Sequence, residues 1–365
     1  MEGEQYFLMS KAKNLEEFKD LFSMQGIPDE NFIYADRKEN IYLMNNTPLP
    51  IKNDGYDYTN TLPGNTLKSK WSSSELLSSD KMLQYTNPPC GYLYNNNHSP
   101  QWASSPCHEL PDDSLSVSYM HDWKKDNNRS LTIKNFLEEK NGEKISLSEL
   151  KELKNAQYIP SNSPFLNIYH ELMSYENNPE FVSHKPYFEN FKGWDFNFDK
   201  SSEPSTLFTL ITKYIWENTD SRREILYNKP SYSKEVYLEA LKYTKRYLSK
   251  YFKGEVVPLG SILKHKRGDR TIGIGGFADV LALIYPIKEK DGILKAYVGE
   301  SVIMFIQFTQ DHITIESVVP YGSSNKLESK HYTDQMNLFT NQKLKTVSLY
   351  EEEILPTIER SYHPE

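Results

Sequence analysis

The apolar positions in the first 50 residues predict a helix followed by a β-hairpin. Over residues 11–26, leucine and phenylalanine recur at the spacing of one helix face, and Gly26 ends the pattern. Apolar and aromatic residues then predominate in 31–36 and 41–44, on either side of a short polar turn. We therefore expect two strands that pair in an antiparallel arrangement.

The middle of the chain follows the helical period, and its end returns to strands. Helices are predicted over residues 131–139, 165–175, 207–217, 234–251, 331–339 and 351–360. Strands are predicted over residues 280–285, 297–298, 301–308 and 313–319. Ser146 and Glu149, three residues apart at the start of an apolar pattern, are typical of a capping box.

This order of elements predicts an α+β protein in which both ends of the chain join one sheet system. We divide it into a β-rich part of the core (1–125), a helical region (126–255) and C-terminal strands and helices that complete the core (256–365).

Composition and charge exclude several classes of function. The formal net charge is -8, so the chain offers no basic face for nucleic acid. No apolar run reaches the length of a membrane helix, and the first residues show no signal peptide. Cys90 and Cys107 are too few for a disulfide framework and do not have metal-ligand spacing. They could pair in an oxidising compartment, but we expect two free thiols.

Residues 91–100 are the first candidate for chemistry. Gly91 is followed by strand-like sequence that includes Leu93 and Tyr94, and then by three asparagines that end at Asn97. A strand that ends in amides would fix carboxamide donors in one place, as stabilisation of an oxyanion requires. The alternative is an ordinary polar turn, because asparagine, serine and proline are common loop residues.

Arg129 lies at the N-terminus of a predicted helix, directly after two asparagines. Its planar guanidinium could hold a carboxylate or order a loop carbonyl. The alternative is a solvated arginine at a helix start.

The other groups of residues that could suggest a functional site are better explained by local structure. The glycines of 273–276 lack the spacing of a phosphate loop and predict a flexible turn. Asp195 and Asp199 could suggest a glycosidase pair but are more typical of a solvated loop. His331 and Gln335 fall on one face of a predicted helix. The 26 tyrosines leave a carbohydrate-binding protein as a further alternative.

Several segments, kept in order along the chain, resemble the penicillin acylase (penicillin amidase) family. They are residues 11–18, 31–37, 40–41, 62–64 with Trp71, 87–92, 95–100, 128–129, 320–324 and 329–335. The resemblance is closest to the acyl-homoserine lactone and aculeacin-type acylases, and it covers the C-terminal part of their β chain. Each match is weak alone, and the ordered set is specific.

The resemblance implies an N-terminal nucleophile hydrolase: an αββα sandwich, here partial, with a large helical insertion. Such enzymes arise from a precursor that cuts itself, and the exposed N-terminal serine attacks an amide carbonyl. Asn97 matches the asparagine that stabilises the oxyanion, and Arg129 matches an arginine beside the active site. By the same resemblance, Leu93 and Tyr94 border the acyl pocket as substrate-binding residues.

The main departure from the family concerns the nucleophile. The family's serine opens a glycine-flanked Ser-Asn motif upstream of the helix at Lys11, and this chain has no such motif. We expect an amidohydrolase that cleaves an acyl group from a linear amide, with the nucleophilic serine outside this chain. The alternative is a truncated, inactive homologue that only binds ligand.

Cofactors, partners and compartment follow from the same resemblance. We expect no cofactor and no metal, although some relatives hold calcium. The expected partners are a small acyl amide and the missing N-terminal part of the precursor, or a complementary chain. The cellular compartment is left undecided, although a full-length exported precursor would place the protein in the periplasm.

Overall fold

The computed structural model describes residues 2–53, 55–58, 60–71, 75–107, 126–219, 229–288, 290–361 and 363. Its residues form two compact units. The first comprises Met1–Ser130 and Leu137–Gly142, and the second comprises Leu131–Phe136 and Glu143–Glu365.

Helices and strands occur in both units, so the protein is α+β. The α-helices are α1 (Glu2–Met9), α2 (Leu15–Asp20), α3 (Asn128–Lys140), α4 (Leu147–Lys154), α5 (Asn167–Ser174), α6 (Lys185–Phe191), α7 (Glu203–Asn218), α8 (Lys234–Phe252), α9 (Leu259–Ile262), α10 (Met336–Thr340) and α11 (Glu351–Ile354). The strands are β1 (Glu30–Ala35), β2 (Ile41–Asn46), β3 (Gln84–Thr86), β4 (Leu263–Arg267), β5 (Arg270–Gly273), β6 (Ile284–Lys288), β7 (Leu294–Gly299), β8 (Ile303–Phe308), β9 (Ile313–Val318) and β10 (Lys345–Thr346).

The first unit is organised around the predicted hairpin, which the structure confirms. Strands β1 and β2 pair antiparallel with Glu30 opposite Asn46, and β3 joins the other side of β2. Fully buried Tyr42 and Met44 of β2 pack in one cluster with Phe22. The helix predicted over 11–26 is shorter than expected. A 3₁₀ turn follows α2, and the left-handed Gln25 (φ 46°), rather than Gly26, ends it.

The second unit contains the larger core, which is built mainly from the predicted helices. Phe208 on α7 and Leu241 on α8 are fully buried in this core, where aromatic rings meet edge to face. The capping box is confirmed: Ser146 accepts from the backbone of Glu149, whose carboxylate accepts from the backbone N–H of Ser146.

The C-terminal strands differ from the expectation in where they begin. The predicted strand at 280–285 starts only at Ile284, because Asp279 (φ 60°) holds a turn before it. The pattern missed β4 and β5, which pair with each other and extend a four-stranded sheet in the order β5-β4-β7-β6. The helix predicted from His331 begins at Met336 instead.

The glycines of 273–276 were wrongly predicted as a flexible turn. Gly273 ends β5, and a Cβ there would lie 2.6 Å from the carbonyl oxygen of Gly260. A Cβ on Gly275 would lie 2.7 Å from the carbonyl oxygen of Phe198. These glycines permit close backbone packing.

Replacement of Phe208 by alanine tests the core of the second unit. The side chain is fully buried among aromatic rings, so Phe208→Ala should cost about 3–5 kcal/mol in the free energy of unfolding. Chemical denaturation measures the change. Val182→Ala is the control, because Val182 is 68% exposed and should change stability by less than about 0.5 kcal/mol. Equal losses in both variants would show that the ring of Phe208 contributes no more to stability than an exposed side chain.

Candidate active site

The segment that carries Asn97 is a loop, and the prediction of a strand over its first residues was wrong. Residues 92–95 have no regular secondary structure. Gly91 adopts a left-handed conformation (φ 73°), and the backbone N–H of Tyr94 donates to the carbonyl oxygen of Ala103 at 2.8 Å. The segment therefore folds back on its own C-terminal end instead of joining a strand.

Polar side chains of the loop replace the hydrogen bonds of a strand. Asn97 itself is left-handed (φ 59°), a conformation that asparagine tolerates better than most residues. Its backbone N–H donates to Oδ1 of Asn95 at 3.0 Å. The backbone N–H of Asn96 donates to Nδ1 of His98 at 3.2 Å. Short-range bonds of this kind fix the backbone at Asn97 and at the residue before it.

The imidazole of His98 is the buried support of this loop. Its side chain is only 2% exposed and stacks on the ring of Tyr94, with centroids 5.0 Å apart. Burial lowers the pKa of His98 to about 4, and the positive charge of Arg129 acts in the same direction, although Asp126 and the Trp102 backbone oppose them. The ring is therefore neutral at pH 7, which leaves Nδ1 free to accept.

The start of α3 is tied to the same loop. Asn127 is the N-cap of the helix and forms a reciprocal capping box with Ser130. Its Nδ2 also donates to the carbonyl oxygen of Asn96 at 2.7 Å. One asparagine therefore fixes the helix terminus and the loop together.

The structure brings the two predicted catalytic residues into contact. Nη1 of Arg129 donates to Oδ1 of Asn97 at 3.1 Å. A guanidinium has donors and no acceptor, so the atom that faces it must be the amide oxygen. The amide nitrogen of Asn97 consequently points away from Arg129, on an exposed side chain. This arrangement presents N–H donors at a fixed position, as an oxyanion site requires.

Leu93 and Tyr94 pack within the first unit. Leu93 packs against a buried cluster of Leu43, Leu83, Tyr85 and Ala103. Tyr94 is half-buried beside His98. Their assignment as substrate-binding residues stays a prediction.

Sequence reasoning missed Asn127 and His98 as members of the site. Asn127 had a signal, since asparagine three residues before Ser130 fits a helix N-cap. His98 had none, because neither its burial nor its acceptor role shows in the residue pattern. Cys90 and Cys107 are free thiols in the structure, and Sγ of Cys90 lies 2.9 Å from Oγ of Ser104.

The other sequence candidates have local structural roles. Asp195 and Asp199 each accept a hydrogen bond from a backbone N–H two residues on, at 3.0 and 2.8 Å, as in Asx turns. Nδ1 of His331 lies 2.8 Å from Asp334 at the surface. Among the described residues, no three histidine, cysteine or acidic side chains gather as metal ligands, and the expectation of a metal-free protein stays a prediction.

Comparison with known proteins identifies the family. The model of the family described as penicillin amidase matches residues 2–355. The chain belongs to the penicillin amidase family. A solved structure of thermostable penicillin G acylase from Alcaligenes faecalis is similar, with a TM-score of 0.59 and 17% identity. The match covers 100% of this chain and 72% of that chain, and it confirms the predicted fold class.

Family and fold together support an amidohydrolase. No helix in the described part of the chain combines the length and the apolar character needed to cross a membrane. The match to the family model confirms the predicted resemblance to the penicillin acylases at the level of the family.

The depressed pKa of His98 predicts acid sensitivity of the first unit. Unfolding restores a pKa near 6.5, so the unfolded chain binds the extra proton first, and stability should fall as pH drops from 6.5 towards 4. The contribution is roughly 3 kcal/mol over that range. His98→Asn keeps an acceptor for Asn96 and does not titrate, so its stability should fall less.

Denaturant unfolding at pH 7.5 and pH 4.5 measures the difference. Stability at pH 7.5 is the control for lost packing, since His98 is neutral there. If wild type and His98→Asn lose the same free energy between the two pH values, His98 does not carry this effect.

Proposed function

We propose that this chain carries the oxyanion-binding part of an amidohydrolase that removes an acyl group from a linear amide. The supporting observation is the hydrogen bond from Arg129 to Oδ1 of Asn97. It sets the orientation of an exposed carboxamide in a chain of the penicillin amidase family.

Asn97 is the catalytic residue in this proposal. The oxygen of the substrate carbonyl becomes negative when a nucleophile attacks, and Nδ2 of Asn97 donates to it. The hydrogen bonds that Asn95 and His98 accept from the loop backbone hold the donor in place before the reaction, so little reorganisation is needed. Arg129 is a positioning residue that acts through Asn97.

The attacking group in this proposal is a serine outside this chain. The resemblance implies an N-terminal serine whose own amino group acts as base. Upstream of Lys11 the sequence has one serine, Ser10, which is followed by lysine and donates to the carbonyl oxygen of Phe7. The serine would come from the N-terminal part of the same precursor or from a complementary chain.

The substrate in this proposal is a small acyl amide, and the resemblance favours acyl-homoserine lactones or penicillin-like amides. The alternative is an inactive homologue that binds such amides without cleaving them. A full-length exported precursor would act in the periplasm.

Turnover by the extended protein tests the proposal. The reading frame upstream of Met1 is sequenced for a Gly-Ser-Asn run, and the extended protein is assayed with a chromogenic fatty-acyl amide. The extended protein should turn over, and the 365-residue chain alone should not. Burst release by the chain alone would refute an external nucleophile. Binding without turnover by the extended protein would establish the inactive homologue instead.

Replacement of Asn97 tests its role within the extended protein. Asn97→Ala removes one oxyanion donor and should lower kcat by about 10²–10³-fold, with little change in KM. Asn60→Ala, at an exposed loop position of the same unit, is the control and should keep wild-type kcat. An Asn97→Ala variant with unchanged kcat would remove this residue from the mechanism.

A double-mutant cycle tests whether Arg129 acts through Asn97. Arg129→Met frees the carboxamide to rotate and should lower kcat by about tenfold. That factor corresponds to about 1.4 kcal/mol, which is close to the contribution of one hydrogen bond to a charged group. In the Asn97→Ala background the same change should have almost no further effect, because the orienting partner is gone. Full additivity of the two losses would mean that Arg129 acts independently.

A further inference from the structure

The second unit contains a large cavity that none of the chemistry above uses. Its volume is about 1100 Å³, and residues of β4, β6 and β7 and the segment 319–326 line it. All of these residues belong to the second unit. The cavity is large enough for a small organic ligand.

Arg267 provides a fixed positive charge at this cavity. Its guanidinium lies over the rings of Tyr321 and Tyr332, at 5.0 and 4.1 Å from their centroids. Nη1 donates to the carbonyl oxygen of Tyr332 at 2.9 Å. Within the described residues this is its one hydrogen bond, although a guanidinium has five N–H donors. The two rings fix the plane of the group, and its remaining donors are left for a ligand.

The rest of the lining includes one more cation, an apolar wall and the polar side chains of Ser301, Ser323 and Asn325. Lys326 lies at the exposed edge, and Glu300 is paired with Lys154, which offsets its charge. Ile284, Ala296 and Phe339 contribute aliphatic and aromatic surface to the same cavity. A ligand that fits both features has an anionic end and an apolar body.

We propose that this cavity binds an amphipathic monocarboxylate, with the carboxylate on Arg267 and the hydrocarbon chain against the apolar wall. The planar fork of arginine matches a carboxylate through two parallel hydrogen bonds. Cation–π contacts with two tyrosines keep the fork oriented without consuming its edge donors. The apolar wall favours a hydrocarbon chain over a compact, fully hydrated anion.

Calorimetric titration of the 365-residue chain with octanoate tests the site. Octanoate should bind, and both octanol and octylamine should bind at least tenfold more weakly, because the first lacks the charge and the second reverses it. Arg267→Gln should weaken octanoate at least tenfold. Arg270→Gln is the matched control, since Arg270 donates to the neighbouring Thr333 carbonyl at 3.0 Å and does not line the cavity, and it should bind as wild type does.

Two further variants keep the result interpretable. Val298→Trp narrows the cavity without any change of charge, because Val298 lines the cavity and is 50% exposed. It should also abolish binding, even if Arg267→Gln proves unstable. Asn97→Ala should bind octanoate as wild type does, which separates this cavity from the proposed active site. Absence of octanoate binding to the folded wild type, or unchanged binding by both cavity variants, would overturn the proposal.

Discussion

The site depends on the fact that a guanidinium donates hydrogen bonds and cannot accept them. A primary amide has an oxygen and a nitrogen of nearly equal size, so shape alone does not decide which end faces a ligand. Arg129 fixes the orientation of the Asn97 amide, because Nη1 donates to Oδ1 at 3.1 Å. The donor end must then face the open side. Without this contact the same loop could present an acceptor, which would repel a developing oxyanion.

The backbone beneath Asn97 is held by side chains because its conformation excludes a strand ladder. A left-handed residue cannot continue a strand, so neighbouring donors need other partners. Asn95, His98 and Asn127 supply them, and each accepts from or donates to the backbone of the loop or of the helix start. The neutral imidazole matters here, since a protonated ring would lose its acceptor. The amide of Asn97 is thus oriented by its own loop and by Arg129 together.

The sequence predicted those features whose causes are local. The hairpin and the capping box at Ser146 depend on residues a few positions apart, and both were found. Strand β4 was missed because three of its five residues are lysine or histidine, which hide the alternation of a half-buried strand. The bond from Asn127 to the loop joins residues 31 positions apart, so no local pattern contains it. The pairing of Asn97 with Arg129 was reached through family resemblance, because spacing alone does not place them together.

Arg129 and Arg267 show how the partner of an arginine determines what the arginine can do. Arg129 meets a side-chain amide that could otherwise turn, so its charge is used to orient that amide. Arg267 meets a backbone carbonyl that cannot turn, and tyrosines cover its faces, so its edges remain for a ligand. The chain carries a net charge of -8, which repels anions at a distance. Recognition of a carboxylate must therefore rest on short-range contact inside the cavity, where the apolar wall strengthens the interaction.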